Sequence, residues 1–427
     1  MTNKVPRTGG KSVSAILGAA VAVVALALSG TAHAYTEQTL YSFCSDGKRC
    51  KDGYYPSGLV MDSSGNLFGV TAHGGKYGAG VIFEFVPSSA QYKVIHNFCD
   101  QKECKDGGGP GRVNLVIDVN GNLYGTTQGG GNRQDEGVVF ELMRTDSGWH
   151  EVTLYRFCSQ VNCTDGAEPR DGLSYVGAAS GQLYDGTSPL FGTTYYGGTT
   201  GGEETGTVFS LTPKSGSKQW TEQVLYDFCS QSKCTDGAAV DTPLYIDGQG
   251  NIFGTALEGG QNREGVVFEL SPSGANYTES VLYSFCTKKN CTDGEGPEGG
   301  VIMDAQGNLY GSVAVGGANK DGLIFELSPG TRWQFKDVAD FNGADGESPV
   351  SPLIMDANGN FFGTTFRGGT KNTGAVFESN ASLQSLYSFC KSCDGSRSGV
   401  IEDSAGNLYG VTAASEFEKG TLYELSP

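Results

Sequence analysis

Beyond residue 34, apolar positions come in short runs, each cut off by glycine, asparagine, aspartate or proline. No run holds a helical period over the ~10–12 positions that an amphipathic helix needs, and aromatic and β-branched residues dominate, so the runs read as strands. The clearest strand opens on an asparagine turn: GNLFGVT at Gly65, GNLYGTT at Gly121, GNIFGTA at Gly250, GNLYGSV at Gly307, GNFFGTT at Gly359 and GNLYGVT at Gly406. A divergent copy, LFGTT, starts at Leu190. The glycine after the aromatic residue marks seven units at Gly69, Gly125, Gly192, Gly254, Gly311, Gly363 and Gly410.

Each unit adds three more segments. A short run ending in an acid precedes the marker, as in GLVMD (Gly58 to Asp62) and GVIMD (Gly300 to Asp304). A glycine loop and a strand such as GVVFEL (Gly137 to Leu142, Gly265 to Leu270) follow it, and then comes LYSFC or a variant at Leu40, Leu154, Leu225, Leu282 and Leu386. Four short strands per unit give 28 in all. A β-solenoid coil uses about 20–30 residues, roughly half of this period, whereas four strands in about 57 residues match one propeller blade. The expected fold is therefore all-β, a seven-bladed β-propeller. With strands lettered A to D outward from the axis, the chain opens on a D strand and closes on a C strand, GTLYELSP (Gly420 to Pro427). The segment Thr39–Cys44 is expected to complete the last blade and remove two open edges.

Composition narrows the class. Of 427 residues 66 are glycine, 18% are charged, and acids outnumber bases 47 to 29. A coiled coil, a charge-driven disordered chain and a nucleic-acid binder are excluded by that balance. Lys4, Arg7 and Lys11 precede an apolar run from Ala15 to Leu28 and the small-residue group Ala32-His33-Ala34, the order of a secretory signal cleaved before Tyr35. Residues 1–34 are thus expected to be a signal peptide and 35–427 a single propeller domain, secreted or periplasmic, monomeric and without a membrane span. Cleavage removes three of the 29 bases and none of the 47 acids, leaving a net charge of −21.

The pattern GNLYGTT, paired glycines and GxVFEL, repeated behind a signal peptide, resembles the bacterial "choice-of-anchor tandem repeat GloVer-containing" proteins over essentially the whole mature chain. That resemblance implies a secreted or surface-displayed repeat protein and no established biochemical activity. Many such proteins end in a sorting signal. Here Ser426-Pro427 follows neither an apolar tail nor a basic cluster, which points to free secretion or the periplasm.

Twelve cysteines form six close pairs: Cys44/Cys50, Cys99/Cys104, Cys158/Cys163, Cys229/Cys234, Cys286/Cys291 and Cys390/Cys393. The sixth unit lacks both members, as expected of partners in a disulfide, and an exported chain favours disulfides. Zinc would need two pairs to meet, and the pairs sit on successive blades. An Asp-Gly follows each D strand, at Asp52, Asp106, Asp165, Asp236, Asp293, Asp345 and Asp394. It reads as an inter-blade turn, with a structural divalent cation as the alternative. The acids ending strand A (Asp62, Asp118, Asp247, Asp304, Asp356 and Asp403) read as hairpin turns, since the calcium-loop glycine and distal glutamate are misplaced. Paired glycines open the B–C loops without a following helix, so they cradle no phosphate. Trp149, Trp220 and Trp333 read as packing caps rather than sugar platforms.

No catalytic motif, metal-ligand set or cofactor motif appears. The favoured function is a non-catalytic extracellular scaffold or binding module for a glycan, peptide or other surface partner. The alternative is a propeller lyase, lactonase or glycosidase using acids at the axial opening. D–A and B–C loops share one face, and their tips differ between units while the turns repeat. His73, Arg133, Glu203, Arg263 and Lys320 are accordingly the candidate ligand contacts. The third unit is the irregular one, with an insertion from Gly181 to Pro189 and the acidic pair Glu203-Glu204.

Overall fold

A computed structural model describes residue 1 and residues 35–427 apart from 46–48, 113, 201–204, 218, 381, 390–394 and 414–418. The signal segment, Glu203-Glu204, Asp394 and the pair Cys390/Cys393 lie outside the described residues. Seven antiparallel sheets stand around an axis as the blades of a β-propeller. Blade one is built from Tyr54–Met61, Leu67–His73, Val81–Val86 and Gln91–Asn97, in order A to D. Blade two follows with Val116–Ile117, Leu123–Thr127, Val138–Thr145 and Gly148–Arg156. Blade three holds Leu190–Thr194, Thr207–Pro213 and Trp220–Asp227 as strands B to D. Blade four holds Tyr245–Ile246, Ile252–Ala256, Val266–Ser273 and Asn276–Ser284. Blade five holds Val301–Met303, Leu309–Val313, Leu323–Ser328 and Gln334–Asp340, and blade six Ile354–Met355, Phe361–Thr364, Ala375–Ser379 and Leu383–Ser388.

Blade seven runs Ile401–Glu402, Leu408–Val411 and Thr421–Ser426, and its outer strand is Thr36–Ser42 from the other end of the chain. The register Thr36↔Ser426 to Ser42↔Thr421 closes the ring as expected. One strand of the expected 28 is missing among the described residues. The inner segment of blade three keeps a single bridge, Ser174↔Phe191, because the chain there leaves for the insertion instead of turning back through an Asp-Gly-Asn hairpin. Tyr184 of that insertion is fully buried and bridges to Asp118 of blade two.

The recurrent glycine and the recurrent phenylalanine explain each other. Gly69, Gly125, Gly192, Gly254, Gly311 and Gly363 of strand B lie directly across from Phe83, Phe140, Phe209, Phe268, Phe325 and Phe377 of strand C. Each phenyl ring lies in the space that a β-carbon on the glycine would occupy. In blade seven Tyr423 takes the same place over Gly410. One residue before each of these six phenylalanines the C–D register shifts, a bulge that adds twist between the strands.

The core is distributed as seven apolar clusters, each shared by two neighbouring blades, one for every seam of the ring. Both faces of a blade are thus covered, which accounts for nearly continuous apolar strands. Trp149 packs against Phe68 in the seam of blades one and two, Trp220 packs on the seam of blades two and three, and Trp333 joins the seam of blades four and five, as packing caps. Among the described residues no helix is long and apolar enough to cross a membrane.

Candidate binding site at the axial mouth

The repeated acids serve the frame. Asp106 accepts the N–H groups of Asp100 and Gln101 at 2.9 and 3.1 Å, and Asp165 those of Ser159 and Gln160 at 2.8 and 3.1 Å. Asp236 and Asp293 repeat the arrangement, and a strand-D tyrosine, such as Tyr283 at 2.6 Å from Asp293, donates to the same carboxylate. These aspartates hold together the cysteine loops, five of which are closed by disulfides at Cys44–Cys50, Cys99–Cys104, Cys158–Cys163, Cys229–Cys234 and Cys286–Cys291. The second glycine of each pair then docks the B–C loop on that unit, as where Gly131 and Gly260 donate to the carbonyls of Cys104 and Cys234 at 2.9 and 2.8 Å. In blade six, which has no cysteine, Gly369 donates to Gly343 instead, at 2.7 Å. At the opposite face Asp247 takes N–H bonds from Gln249 and Asn251 at 2.8 and 2.9 Å and the Asn251 amide at 2.8 Å, so the Asp-x-x-Gly-Asn hairpin closes on itself.

The chemistry that does not repeat lies where the D–A connections reach the axis. Aligned on the proline of this connection, whose place Val240 takes in blade four and Ser396 in blade seven, the next residue is Ser57, Gly111, Arg170, Asp241, Glu298, Val350 or Arg397 in blades one to seven. The one after is Gly58, Arg112, Asp171, Thr242, Gly299, Ser351 or Ser398. Neighbouring connections touch around the ring: Ser57 Oγ donates to Gly111 O at 2.5 Å, Arg112 N–H to Arg170 O at 3.1 Å, and Gly58 N–H to Ser398 Oγ at 3.1 Å. A β-carbon on Gly299 would stand 2.5 Å from Ser351 O, so glycine permits this close approach.

Arg112 of blade two pairs with Glu298 of blade five at 3.0 Å. Blades two and five are as far apart as a seven-membered ring allows, so this ion pair crosses the axis. Arg397 of blade seven reaches the same Glu298 oxygen at 3.8 Å, and its guanidinium lies 4.1 Å from the Phe366 ring centre. Beside them opens a cavity of about 340 Å³ whose lining includes Tyr55, Ser57, Arg112, Gln128, Phe366 and Arg397. Burial, then Arg112 beside it, lowers the pKa of Arg397, with Glu298 opposing. Two guanidiniums therefore share one carboxylate next to an open cavity.

Across the mouth, burial pushes the Asp171 carboxyl up to about 7, with Asp241 adding and the Gly172 N–H and Arg112 opposing. Asp241 rises to about 6, again through burial, held back by Arg112 and Arg170. Arg170 is bound to Glu168 at 2.8 Å and stacks 3.6 Å from the Tyr195 ring centre.

His73 sits exposed at the end of strand B of blade one, its ring 5.2 Å from Tyr54 and 5.7 Å from Tyr55, and burial lowers its pKa. Through Tyr55 it borders the axial cavity. Arg133, Arg263 and Lys320 are exposed on the B–C loops of blades two, four and five, the last two at matching left-handed turn positions, each with φ 70°. Among the described residues no hydrogen bond or ion pair joins these three to one another. The axial residues Arg112, Arg170, Asp171, Asp241, Glu298 and Arg397 went unread in the sequence, although aligning the D–A connections exposes them as the positions where an otherwise regular repeat changes charge.

Comparison with solved structures shows the fold. Puromycin hydrolase is 10% identical with a TM-score of 0.54, over 88% of this chain and 52% of its own, so the chain spans about half of that enzyme's length. A putative 6-phosphogluconolactonase from Bacteroides uniformis is 12% identical over 86% of this chain and 93% of its own, with a TM-score of 0.47. The polysaccharide lyase Uly1 is 11% identical over 87% and 89%, with a TM-score of 0.48. No curated protein matches the chain by sequence. A model of the Gloeobacter/Verrucomicrobia repeat matches residues 22–189 and 279–427, and with seven such units arranged as blades the chain belongs to that repeat family.

Proposed function

We propose that this is an exported, non-catalytic binding propeller whose axial mouth takes a carboxylate-bearing sugar of a glycan. The observation that carries the reading is the pair Arg112 and Arg397 sharing Glu298 beside the 340 Å³ cavity. A guanidinium offers a planar fork of donors matched to a carboxylate, and a second one on the same acid has bonding capacity to spare. Tyr55, Phe366 and Gln128 supply flat apolar surface and an amide to the same space. Export is supported by the signal-like residues 1–34 and by five disulfides, which persist in oxidising compartments. His73, Arg133, Arg263 and Lys320 stand on the loops of this same face, and Glu203 belongs to the corresponding loop of blade three. They would extend contact along a longer chain.

Calorimetric titration of the mature protein tests this with glucuronate, galacturonate and glucose. The uronates should bind and glucose should not, and Arg112→Ala with Arg397→Ala should weaken binding at least tenfold. Equal binding of glucose, or indifference to both substitutions, would overturn it. Consumption of the bound sugar would move the assignment to the enzymatic alternative, with Asp171 and its proton as the first residue to substitute.

A further inference from the structure

On the opposite face, between blades two and three, lies a second cavity of about 550 Å³. Its position follows from two departures from the repeat, far apart in sequence and both in unit three. The insertion that replaces the A–B hairpin brings Gly186 and Thr187 to one wall. The C–D turn brings Lys214 and Ser215 to the other, and it is longer than its counterparts: nine positions separate Leu211 from Trp220, against seven from Leu142 to Trp149 and from Leu270 to Tyr277. Blades one, two, four, five and six keep the Asp-x-x-Gly-Asn hairpin and the short turn together, yet here both changes converge on one groove.

We infer that this groove is a binding site for a neutral sugar unit of a glycan, with Trp220 as its platform. Trp220 is half-buried at the start of strand D and lines the cavity, its ring centre 6.4 Å from that of Tyr124. An indole face suits the C–H face of a pyranose, and sugar hydroxyls project from the ring edge toward polar groups. Those groups are present. Ser215 carries an exposed hydroxyl with no hydrogen-bond partner among the described residues, the exposed Thr187 hydroxyl bonds the Asp185 carboxylate and keeps lone pairs for a ligand, and the Lys214 side chain is exposed beside them. Glu141 is fixed at the floor, accepting the Tyr124 hydroxyl at 2.9 Å. One carboxylate against one ammonium makes the groove neutral, unlike the arginine-rich axial mouth. An anionic ligand would meet Glu141, and a purely apolar one would strand the hydroxyls and charges against it. The two sites stand on opposite faces, so this assignment does not rest on the reading of the mouth.

The experiment is a fluorescence titration of the mature protein with a panel of neutral oligosaccharides (gluco-, manno-, galacto- and xylo-oligosaccharides), following tryptophan emission. At least one should bind with a shift in emission. Trp220→Ala should weaken it more than tenfold, and the exposed pair Thr187→Ala with Ser215→Ala several-fold while the melting temperature stays unchanged. Arg112→Ala with Arg397→Ala should leave this binding intact. If Trp220→Ala lowers the melting temperature, the hydroxyl pair decides alone. No binding by any panel member, or binding that both groove variants retain, would overturn the assignment, as would a preference for acidic over neutral sugars at this site.

Discussion

Replacing Gly254 by alanine tests the packing rule on which the repeat rests. Gly254 is not among the glycines with positive φ, so its backbone accepts any residue and only space is at issue. A β-carbon there would lie 2.6 Å from Phe268 Cζ, 3.0 Å from Leu244 Cδ2 and 3.1 Å from Phe268 Cε1. The overlap with the ring tip approaches 1 Å relative to ordinary contact at about 3.5 Å. Phe268 is wholly buried and packed among the core residues of its seam, so an overpacking cost of ~1–3 kcal/mol applies. Removing a glycine from a strand returns ~0.5–1 kcal/mol through the unfolded chain. The net destabilisation is ~1–2 kcal/mol, a few degrees of melting temperature for a domain of this size. Gly311→Ala should cost more, because its β-carbon would meet the Gly300 carbonyl at 2.6 Å as well as Phe325 at 2.6 Å, and backbone cannot swing aside. The assay is scanning fluorimetry of both variants, alone and with Phe268→Leu or Phe325→Leu. Shortening the ring should rescue Gly254→Ala and leave Gly311→Ala largely unrescued. Wild-type melting of both alanine variants would refute the argument, and so would equal rescue.

Three other outcomes are expected. Deleting residues 35–44 removes the outer strand of blade seven together with the Tyr41–Tyr92 stack at 4.0 Å, and should lower the melting temperature by more than about 10 °C or produce a strand-swapped dimer; a truncated monomer melting like the parent would contradict ring closure as the stabilising step. Burial, aided in turn by Asp106, Asp165 and Asp236, holds the half-buried seam carboxyls Glu151, Glu222 and Glu279 up at about 7 against an ordinary 4.5. The folded state keeps protons that the unfolded chain has released, so stability is full below about pH 4.5 and falls as pH rises through about 7, by ~1 kcal/mol for each after solvent screening. Melting temperatures that stay level or rise between about pH 5 and pH 8 would refute this, and Gln at all three positions should flatten the profile. Non-reducing peptide mass spectrometry should find six local bridges, Cys390–Cys393 included, and no alkylatable thiol. Each loop is short, so each bridge contributes about 2 kcal/mol.

How much was legible before the structure depends on whether a residue's task recurs. Gly254 and Phe268, Asp247 and Asn251, and Cys234 and Gly260 meet through local pairings that most blades share, so repetition makes them visible. Closure by the first strand, expected at Thr39–Cys44 and found at Thr36–Ser42, was legible for a related reason: a last unit short of its outer strand calls for one from elsewhere in the chain. The missing inner strand of blade three was not. Tyr184 buries itself against blade two and draws the segment away, a tertiary gain that overrides the local strand signal. Arg112 and Glu298 stand 186 positions apart and belong to non-adjacent blades. No spacing along the chain announces their meeting; it follows only when the ring is closed and all seven D–A connections are superposed.

That contrast also weighs the acids as evidence for function. The chain carries 47 acidic residues, and an acidic opening was the natural place to look for catalysis. Yet the acids that recur are consumed by the frame: Asp106 and Asp247 use their oxygens on N–H groups of their own turns. A carboxylate whose oxygens are taken up in this way has little acceptor capacity left to offer a ligand. The charges at the mouth belong to single blades, are imperfectly matched, and include an arginine whose pKa burial has lowered. Arg397, at 3.8 Å from a carboxylate that Arg112 already holds, keeps donors to spare, and the proposed anion site rests on that surplus. In a repeat protein the seven-fold residues build the ring, and selective chemistry has room only where the symmetry is broken.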